Sequence, residues 1–455
     1  MFQPVFLKYH RYMKFNEKEI GIATGATVLK SSEQDCLYSI STDTRTIKSG
    51  DIYLPLKGET FDGEKFIEQA LEKGAVGYFT TGNVVFDDAK NIFRVENTLD
   101  AYMKLARFYR RKLNPITIAI TGSSGKTTTK ELVNSVLSQK FKTHKTFSNH
   151  NNEVGLCQTI LGMVEDVEVL IVEMGMRGLG EIELLSKFAE PDYAIITNAG
   201  SAHIGRLGSL DNIAIAKSEI VSHLKEDGVL ISHNNPRLQK FAKFNGEKIW
   251  YSSDNVKVLE QKQGYSKFEY KDNIYELNVE GIYNIENSLS AIELGYKLGM
   301  SYSEICAGLL AYKPIEKRWE IEEIRGYKLI NDSYNANPES MKASVSTFVE
   351  LYENPVVVLG NMGELGVDEV DLHKEVGRFL AEKSNTNVKY LTVGNLAKEI
   401  GDELLAKDLF VKNFENNEAV SRYILDNVNV GCTIFLKASR SMKFEQIIEN
   451  LREKK

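Results

Sequence analysis

Paired cysteines, long apolar runs and an excess of basic charge are all missing from this sequence of 455 residues. Its four cysteines are widely scattered and form no CxxC pair, so the sequence indicates neither a disulfide framework nor a zinc site. That usage suits a reducing cytoplasm. No run of about 18 apolar residues occurs, so we predict no transmembrane helix and no membrane partner.

The net charge of −7 gives no basic footprint of the kind that neutralises nucleic-acid phosphates, so we expect no nucleic-acid partner. The first segment, MFQPVFLKYHRYMKF at residues 1–15, lacks a continuous apolar core and a small-residue cleavage site. It does not have the pattern of a signal peptide, and we predict a cytoplasmic protein.

The length predicts more than one core, because a domain usually holds roughly 100 to 200 residues. We predict three domains of the α/β class, at residues 1–112, 113–314 and 315–455. In the first, two short apolar runs at 51–56 and 76–80 enclose a helical stretch, which predicts a small α/β domain. The dipeptide Asn114-Pro115 then ends a helix, because a residue before proline is pushed out of the helical region.

Nearly continuous apolar runs in the other two domains predict strands that are buried on both faces of parallel sheets. The runs lie at residues 116–120, 167–174, 193–197, 229–232, 356–359, 390–393 and 433–436. Helical stretches separate them. This alternation predicts a central parallel-sheet domain and a C-terminal, Rossmann-like domain with a doubly wound sheet.

A glycine loop, TGSSGKTTT at residues 121–129, follows the first run of the central domain and precedes an amphipathic helix. Its glycines let backbone N–H groups turn inward around phosphate oxygens, Lys126 can neutralise the β and γ phosphates, and Thr127 offers a hydroxyl to magnesium. The predicted ATP contacts are Gly122, Ser123, Ser124, Gly125, Lys126, Thr127 and Thr128.

The usual GxxxxGK[ST] pattern would place its first glycine at Ile120, so the shorter GxxGKT form carries this prediction. The alternative is an ordinary turn before a capped helix. Such a turn has no need of Lys126 followed by three threonines.

Three further residues could serve a metal ion, and each has an ordinary structural alternative. Glu173 ends an apolar run at the edge where doubly wound sheets bind ligands, so it could reach the magnesium of Thr127 or could simply face solvent. A lone histidine such as His203 carries little weight by itself. By residue type alone, Lys217 is a solvated lysine on a helix.

Together, the glycine loop, Glu173, His203 and Lys217 resemble the Mur ligase family, whose central domain has these residues at these spacings. In that family the matching lysine is carbamylated, which turns a cation that would repel magnesium into an anion able to bind it. The resemblance implies a P-loop ATPase domain that uses ATP and two Mg²⁺ ions. The implied metal ligands are Thr127, Glu173, His203 and the carbamate of Lys217.

The N-terminal motif STDTRTIKSGDIYLPLKGETFDG, residues 41–63, resembles the UDP-sugar-binding domain of the same family. It implies substrate contacts from Ser41, Thr42, Asp43 and Arg45. Glu64 stands where related sequences often have histidine. The segment SNHNNEVGL, residues 148–156, is similar to the loop that meets the sugar and the reacting carboxylate, which implies contacts from Asn149 and Asn152.

Two further matches concern the nucleotide. YNIENSLSA, residues 283–291, resembles the motif that holds adenine, through Asn284 and Asn287. Arg318 matches the arginine that approaches the γ-phosphate, where a bidentate donor suits phosphoryl transfer.

The stretch NDSYNANPESMKAS, residues 331–344, is the most discriminating part of the resemblance. A DSYNANP sequence is typical of the family member that adds D-alanyl-D-alanine, whereas the DNPR-like motif of the diaminopimelate-adding member does not occur here. The resemblance places Asp332 near the ATP ribose. It places Asn335, Asn337 and Ser340 near the substrates.

The resemblance thus implies a monomeric ligase of peptidoglycan precursor synthesis that joins D-alanyl-D-alanine to UDP-N-acetylmuramoyl-tripeptide. The implied catalytic residues are Lys126, Glu173, His203, Lys217 and Arg318. The third residue of the tripeptide, lysine or diaminopimelate, stays open. Two alternative functions also stay open. The first is another Mur-type or folylpolyglutamate-type ligase, although the UDP-like motif argues against the folate-specific type. The second is a P-loop nucleotide switch that forms no amide.

Overall fold

A computed structural model describes residues 13–32, 36–58, 60–83, 85–315, 317–384 and 386–453. The prediction that residues 1–15 are not a signal peptide falls mostly outside the described residues, which begin at residue 13. Within them the chain forms three α/β units in order along the sequence, and the predicted three-part α/β fold is confirmed. In the part of the chain that is described, no helix is long and apolar enough to cross a membrane.

The N-terminal unit is built on a five-stranded sheet in the order β1-β5-β4-β3-β2, in which only β1 is antiparallel to its neighbour. Its elements are α1 (Glu17–Thr24), β1 (Thr27–Lys30), β2 (Ile40–Ser41), β3 (Ile52–Tyr53), α2 (Ile67–Glu72), β4 (Gly77–Thr80), β5 (Asn91–Arg94) and α3 (Thr98–Leu113). The two predicted apolar runs contain β3 and β4. The remaining strands have two to four residues, too few to show a period.

The central unit has a six-stranded, fully parallel sheet in the order β11-β10-β9-β6-β8-β7. Its elements are β6 (Ile116–Thr121), α4 (Lys126–Leu137), β7 (Thr143–Lys145), α5 (Glu153–Leu161), β8 (Val169–Glu173), α6 (Glu181–Ala189), β9 (Tyr193–Ile196), α7 (Ile204–Leu207), α8 (Leu210–Ser218), β10 (Val229–His233), α9 (Pro236–Phe241) and β11 (Glu247–Tyr251). The four predicted apolar runs form β6, β8, β9 and β10, the inner strands. The edge strands β7 and β11 are half-exposed and were not predicted.

A small antiparallel sheet, which the sequence analysis does not predict, follows within residues 113–314. It comprises β12 (Val256–Lys262), β13 (Tyr265–Tyr270) and β14 (Asn273–Leu277), and it leads to α10 (Ile282–Lys297) and α11 (Tyr302–Ala311). Its apolar side packs into the core of the central unit through Phe268, Tyr270, Tyr275 and Leu277.

The C-terminal unit has the doubly wound sheet that the sequence predicts, in the order β15-β16-β20-β17-β18-β19, with β15 antiparallel. Its elements are β15 (Glu320–Ile324), β16 (Tyr327–Asn331), α12 (Pro338–Leu351), β17 (Pro355–Gly360), α13 (Glu369–Lys383), β18 (Lys389–Val393), α14 (Asn395–Leu405), β19 (Phe410–Phe414), α15 (Asn417–Asn427), β20 (Thr433–Lys437) and α16 (Glu445–Glu453). The three predicted runs form β17, β18 and β20, three of the four inner strands, whereas the fourth, β16, was not predicted.

Helix α3 joins the N-terminal unit to the central unit. Its buried residues Leu105 and Tyr109 share one apolar cluster with Leu156 and Ile160 of α5, so the helix packs on both units. The predicted boundary between residues 112 and 113 therefore falls at the end of an element that belongs to two cores.

Three arginines near the end of α3 converge on Glu190, the residue that follows α6. Arg110 is the most buried of them, and it donates to the Glu190 backbone oxygen at 2.7 Å. Burial alone would raise the pKa of Glu190, but hydrogen bonds from Arg111 and Arg107 outweigh it and lower that pKa. The carboxylate is therefore held in its charged form between the two units.

We expect Glu190→Gln to lower the stability of the joint by about 2 kcal/mol, because the buried Arg110 loses the nearer of its two carboxylate partners and keeps only Asp192. The pKa of Glu190 is lowered in the folded chain, so this stabilisation is present above the unfolded value near 4.5 and is lost as the pH falls through the folded value. The melting temperatures of parent and variant should thus differ at pH 7 and converge at acidic pH. Asp166→Asn, which removes an exposed pair with Lys142, is the matched control and should change nothing measurable.

Candidate active site

A cavity of about 1100 Å³ lies between the central and C-terminal units, at the carboxyl ends of their parallel strands. Ligands bind at this edge in doubly wound sheets. Seventeen of the residues that the sequence analysis singles out line it: Ser123, Ser124, Gly125, Lys126, Thr127, Thr128, Asn149, Asn152, Glu173, His203, Asn284, Asn287, Arg318, Asp332, Asn335, Asn337 and Ser340.

The glycine loop after β6 is shaped by its own backbone and by one asparagine. Gly125 has a left-handed conformation with φ of 77°, and a Cβ there would lie 2.4 Å from Asn287 Oδ1, so only glycine fits. Asn198 Oδ1 accepts hydrogen bonds from the backbone N–H groups of Ser123 and Ser124, at 3.1 and 2.9 Å. The loop is therefore held from the end of the neighbouring strand β9.

Lys126 begins α4 and turns back over the loop, where its Nζ donates to the Gly122 oxygen at 2.7 Å. Burial lowers the pKa of Lys126, while the Glu173 carboxylate acts in the opposite direction. The side chain thus lies at the loop, where a phosphate-binding lysine is required.

Glu173 ends β8 with only 3% of its surface exposed, which excludes the alternative of a solvent-facing carboxylate. Its Oε2 accepts from Thr127 Oγ1 at 2.8 Å, and its Oε1 accepts from Asn151 Nδ2 at 3.0 Å. Lys130 Nζ, fully buried in α4, lies 3.6 Å from Oε2. The structure therefore brings Thr127 and Glu173 together, as the predicted magnesium site requires.

The donor atoms at this point are a hydroxyl and a carboxylate, the hard oxygen ligands that Mg²⁺ takes in proteins, usually with substrate phosphates and water. Among the described residues there is no group of three or more His, Cys, Asp or Glu side chains that could hold a metal by themselves. His203 lines the cavity but is paired across it, with its Nδ1 2.5 Å from Glu364 Oε2 in the C-terminal unit. That pairing lowers the pKa of Glu364.

The interpretation of Lys217 as a solvated helix lysine, which its residue type alone suggests, is wrong. The side chain, on α8, is completely buried, and its Nζ has no hydrogen-bond partner within the described part of the chain. Burial, followed by repulsion from Lys126, places the pKa of Lys217 well below its ordinary value. Lys217 is therefore a buried amine of the central unit, and neither it nor Gly122 lines the cavity.

The loop after β16 carries the DSYNANP residues into the cavity. Asp332 Oδ2 accepts from Lys437 Nζ, at the end of β20, over 2.6 Å. Asn337 caps α12 by accepting from the Ser340 backbone N–H at 2.8 Å, and Pro338 occupies the first helical position. The cap fixes how this loop enters the helix, so Asn337 and Ser340 have a structural role whatever they bind.

Other asparagines of the site also have local partners. Asn152 caps α5 through the Gly155 N–H at 2.9 Å, and Asn284 Nδ2 donates to the Glu280 oxygen at 2.6 Å. Each therefore positions its own segment of the cavity wall.

The N-terminal candidates Ser41, Thr42, Asp43 and Arg45 do not line the cavity. Ser41 ends β2 and the other three follow it; there the largely exposed Arg45 guanidinium lies 2.7 Å from Asp43 Oδ2. Glu64 accepts a hydrogen bond from the Thr81 N–H at 2.7 Å and so stabilises a turn of the same unit.

Several residues of the site were missed by the sequence analysis: Lys130, Thr146, Asn151, Asn198, Tyr334, Glu364 and Lys437. Asn151 lies in the segment 148–156, and Asn198 and Lys437 directly follow predicted apolar runs, so polar residues at strand and loop ends were an available signal. Lys130 and Glu364 have partners on other elements, and a local pattern does not reveal such pairs.

Comparison with known proteins gives matches to three domain families. The Mur ligase family catalytic domain matches residues 37–110, the Mur ligase middle domain residues 120–295, and the Mur ligase glutamate ligase domain residues 317–440. A Bacillus subtilis protein named UDP-N-acetylmuramoyl-tripeptide–D-alanyl-D-alanine ligase is 37% identical over 434 residues, which cover 92% of this chain and 94% of that protein.

Solved structures agree with these matches. A crystal structure of MurF from Acinetobacter baumannii superimposes with a TM-score of 0.88 at 28% identity, covering 97% of this chain and all of that one. MurF ligase from Thermotoga maritima in complex with ADP has a TM-score of 0.81 at 26% identity, covering 91% of this chain and 97% of the other.

If Asn198 organises the glycine loop, Asn198→Ala should weaken binding of an adenine nucleotide by about tenfold, the effect of losing one or two backbone contacts. Isothermal titration with a nonhydrolysable ATP analogue measures this. Asn416→Ala removes a comparable contact, to the Ala419 N–H at the start of α15, and should leave the affinity unchanged. Equal binding by Asn198→Ala would show that the asparagine does not support the loop, and tighter binding would show that it competes with phosphate.

Proposed function

This chain belongs to the Mur ligase family, and we propose that it is the ATP-dependent ligase that joins D-alanyl-D-alanine to UDP-N-acetylmuramoyl-tripeptide in peptidoglycan precursor synthesis. One observation carries the proposal: the glycine loop with Lys126 and the DSYNANP loop from Asp332 to Pro338 line the same cavity. The products would be ADP and phosphate. The ligase would act in the cytoplasm as a monomer.

In this reaction the terminal carboxylate of the tripeptide attacks the γ-phosphorus of ATP and forms an acyl phosphate. The amine of D-alanyl-D-alanine then attacks the acyl carbon, and the tetrahedral intermediate collapses to an amide and phosphate. Negative charge develops on the transferred phosphoryl group, and positive groups fixed in advance stabilise it without reorganisation. Lys126 from the central unit and Arg318 from the C-terminal unit are the residues that we assign to this role.

We also propose that the site uses Mg²⁺, held on the chain by Thr127, Glu173, His203 and a carbamate on Lys217. Magnesium would supply charge neutralisation of the phosphates. The support is the 2.8 Å contact between Thr127 and Glu173 together with the buried, unpartnered amine of Lys217.

The environment of Lys217 favours carbamate formation. Only a neutral amine attacks carbon dioxide, and burial with the nearby charge of Lys126 lowers the pKa of Lys217. The nitrogen bonds to the carbon of CO₂ and loses one proton, which leaves an anion. That anion would be attracted to Lys126, whereas the ammonium is repelled by it.

The UDP moiety would bind in the N-terminal unit, at Ser41, Thr42, Asp43 and Arg45. These residues lie outside the cavity, so the nucleotide-sugar peptide would extend from one unit to the reacting site in another. Asn149 and Asn152, on the loop before α5, would meet it there. Asn284 and Asn287 would contact adenine, Asp332 the ribose, and Asn335, Asn337 and Ser340 the substrates.

The assay that tests the function follows phosphate release from ATP with UDP-N-acetylmuramoyl-tripeptides that contain lysine or diaminopimelate. Release is expected only when a tripeptide and D-alanyl-D-alanine are both present, with ADP as the nucleotide product. Release without the dipeptide would favour a nucleotide switch, activity with folate and glutamate would favour a folylpolyglutamate-type ligase, and AMP would overturn the acyl-phosphate route.

Lys217→Ala is expected to abolish nearly all ligase activity, because the site loses its carbamate. Lys398→Ala, at an exposed position on α14, is the matched control and should retain full turnover. Incubation with ¹³C-bicarbonate should give a carbamate carbon resonance in the parent and in Lys398→Ala that is missing from Lys217→Ala. A fully active Lys217→Ala, or identical spectra, would rule out the carbamate.

A further inference from the structure

Tyr334, in the middle of the DSYNANP loop, packs its ring against the guanidinium of Arg318. The Arg318 Cζ lies 3.7 Å from the ring centroid, well within the range of a cation–π contact. Both side chains line the cavity, and Tyr334 is half-buried in its wall. A second guanidinium, that of Arg440, has its Cζ 6.0 Å from the same centroid.

The backbone around Arg318 is fixed as well. Its neighbours Lys317 and Trp319 have φ angles of 58° and 60°, a left-handed conformation that non-glycine residues keep only where the surroundings impose it. Trp319 is buried, with its ring 5.3 Å from that of Phe435. The Tyr334 N–H donates to the Lys317 oxygen at 3.3 Å, so the loop also meets the segment through its main chain.

These contacts hold the base of the Arg318 side chain, but an arginine has several rotatable bonds beyond its Cα. A ring against the guanidinium limits those rotations. The ring contacts the flat face of the guanidinium, whereas the five N–H donors of the guanidinium point outward in its plane. Stacking is therefore compatible with bidentate donation to phosphate oxygens.

We propose that Tyr334 is a positioning residue for the ligase reaction, whose ring orients Arg318 toward the transferred phosphoryl group. This inference rests on the proposed function of Arg318. Because Tyr334 belongs to the same loop as Asn335 and Asn337, its ring links the arginine to the loop that would bind the substrates. The loop and the arginine then take up their working positions together.

The test compares Tyr334→Leu, which removes the π face, with Tyr334→Phe, which keeps it. We expect Tyr334→Leu to lower kcat by about 3- to 30-fold, the range of a cation–π contact, with a smaller change in KM for ATP. Tyr334→Phe should stay within about twofold of the parent. Tyr423→Leu, which removes the ring under Lys412 in the C-terminal unit, is the matched control and should leave kcat unchanged.

A double-mutant cycle separates positioning from direct contact with a substrate. If the ring acts through the arginine, Tyr334→Leu should cause no further loss in an Arg318→Gln background. Full activity of Tyr334→Leu, an equal loss in Tyr334→Phe, or a loss of the same size in the Arg318→Gln background would each overturn the proposal. Tyr334→Met, with a flexible apolar side chain, replaces the leucine variant should that one not fold.

The two proposals can fail separately. Ligation of D-alanyl-D-alanine by the parent chain and by Tyr423→Leu is measured first, and its absence would overturn the proposed function. In that case the double-mutant cycle is repeated with the affinity of each variant for a nonhydrolysable ATP analogue as the measured quantity. A loss of affinity in Tyr334→Leu that is missing from Tyr334→Phe and from the Arg318→Gln background supports the pairing, and any other pattern overturns it.

Discussion

The buried carboxylate of Glu173 is the point on which the geometry of the cavity depends. A carboxylate removed from water is destabilising unless charge and hydrogen bonds compensate it. Here the compensation comes from Thr127 on α4 and Asn151 in the loop before α5, while the Glu173 N–H donates to Thr146 at 3.0 Å. The end of β8, the glycine loop and the asparagine-rich loop therefore cannot move independently without leaving this charge unpaired.

Three lysines of the central unit are buried or half-buried, and their partners differ. Lys126 has a backbone oxygen within hydrogen-bond distance, and Lys130 lies near the carboxylates of Glu131 and Glu173. Lys217 has no such partner among the described residues. An isolated ammonium is the least stable state of a buried lysine, so the surroundings of Lys217 favour a neutral or a modified side chain.

Strands that are buried on both faces could be predicted from the sequence, because a continuous apolar run such as that of β8 or β17 needs no knowledge of its neighbours. Edge strands could not, since β11 and β19 consist mainly of half-buried and exposed residues and have no continuous apolar run. The glycine loop could be predicted because its chemistry is local. The burial of Lys217 had a signal in its neighbours: Ile213, Ala214 and Ala216 on the same short helix are apolar, as is typical of a helix enclosed on most sides, and all three are buried. The contacts of Tyr334 and Glu364 depend on how two units pack, and no local pattern contains that information.

The two joints between units are built differently, and the difference bears on the site. Helix α3 fixes the N-terminal unit through a shared apolar cluster and the pairing of Arg110 with Glu190. The central and C-terminal units meet through aromatic packing around Trp319 and through polar contacts beside the cavity, where Ser201 donates to Glu339 and His203 lies against Glu364. Polar contacts at a cavity edge exchange with water at little cost, whereas separating buried rings exposes apolar surface. Because Lys126 and Arg318 stand on opposite sides of this second joint, the distance between the two cations depends on how the two units pack and not on either unit alone.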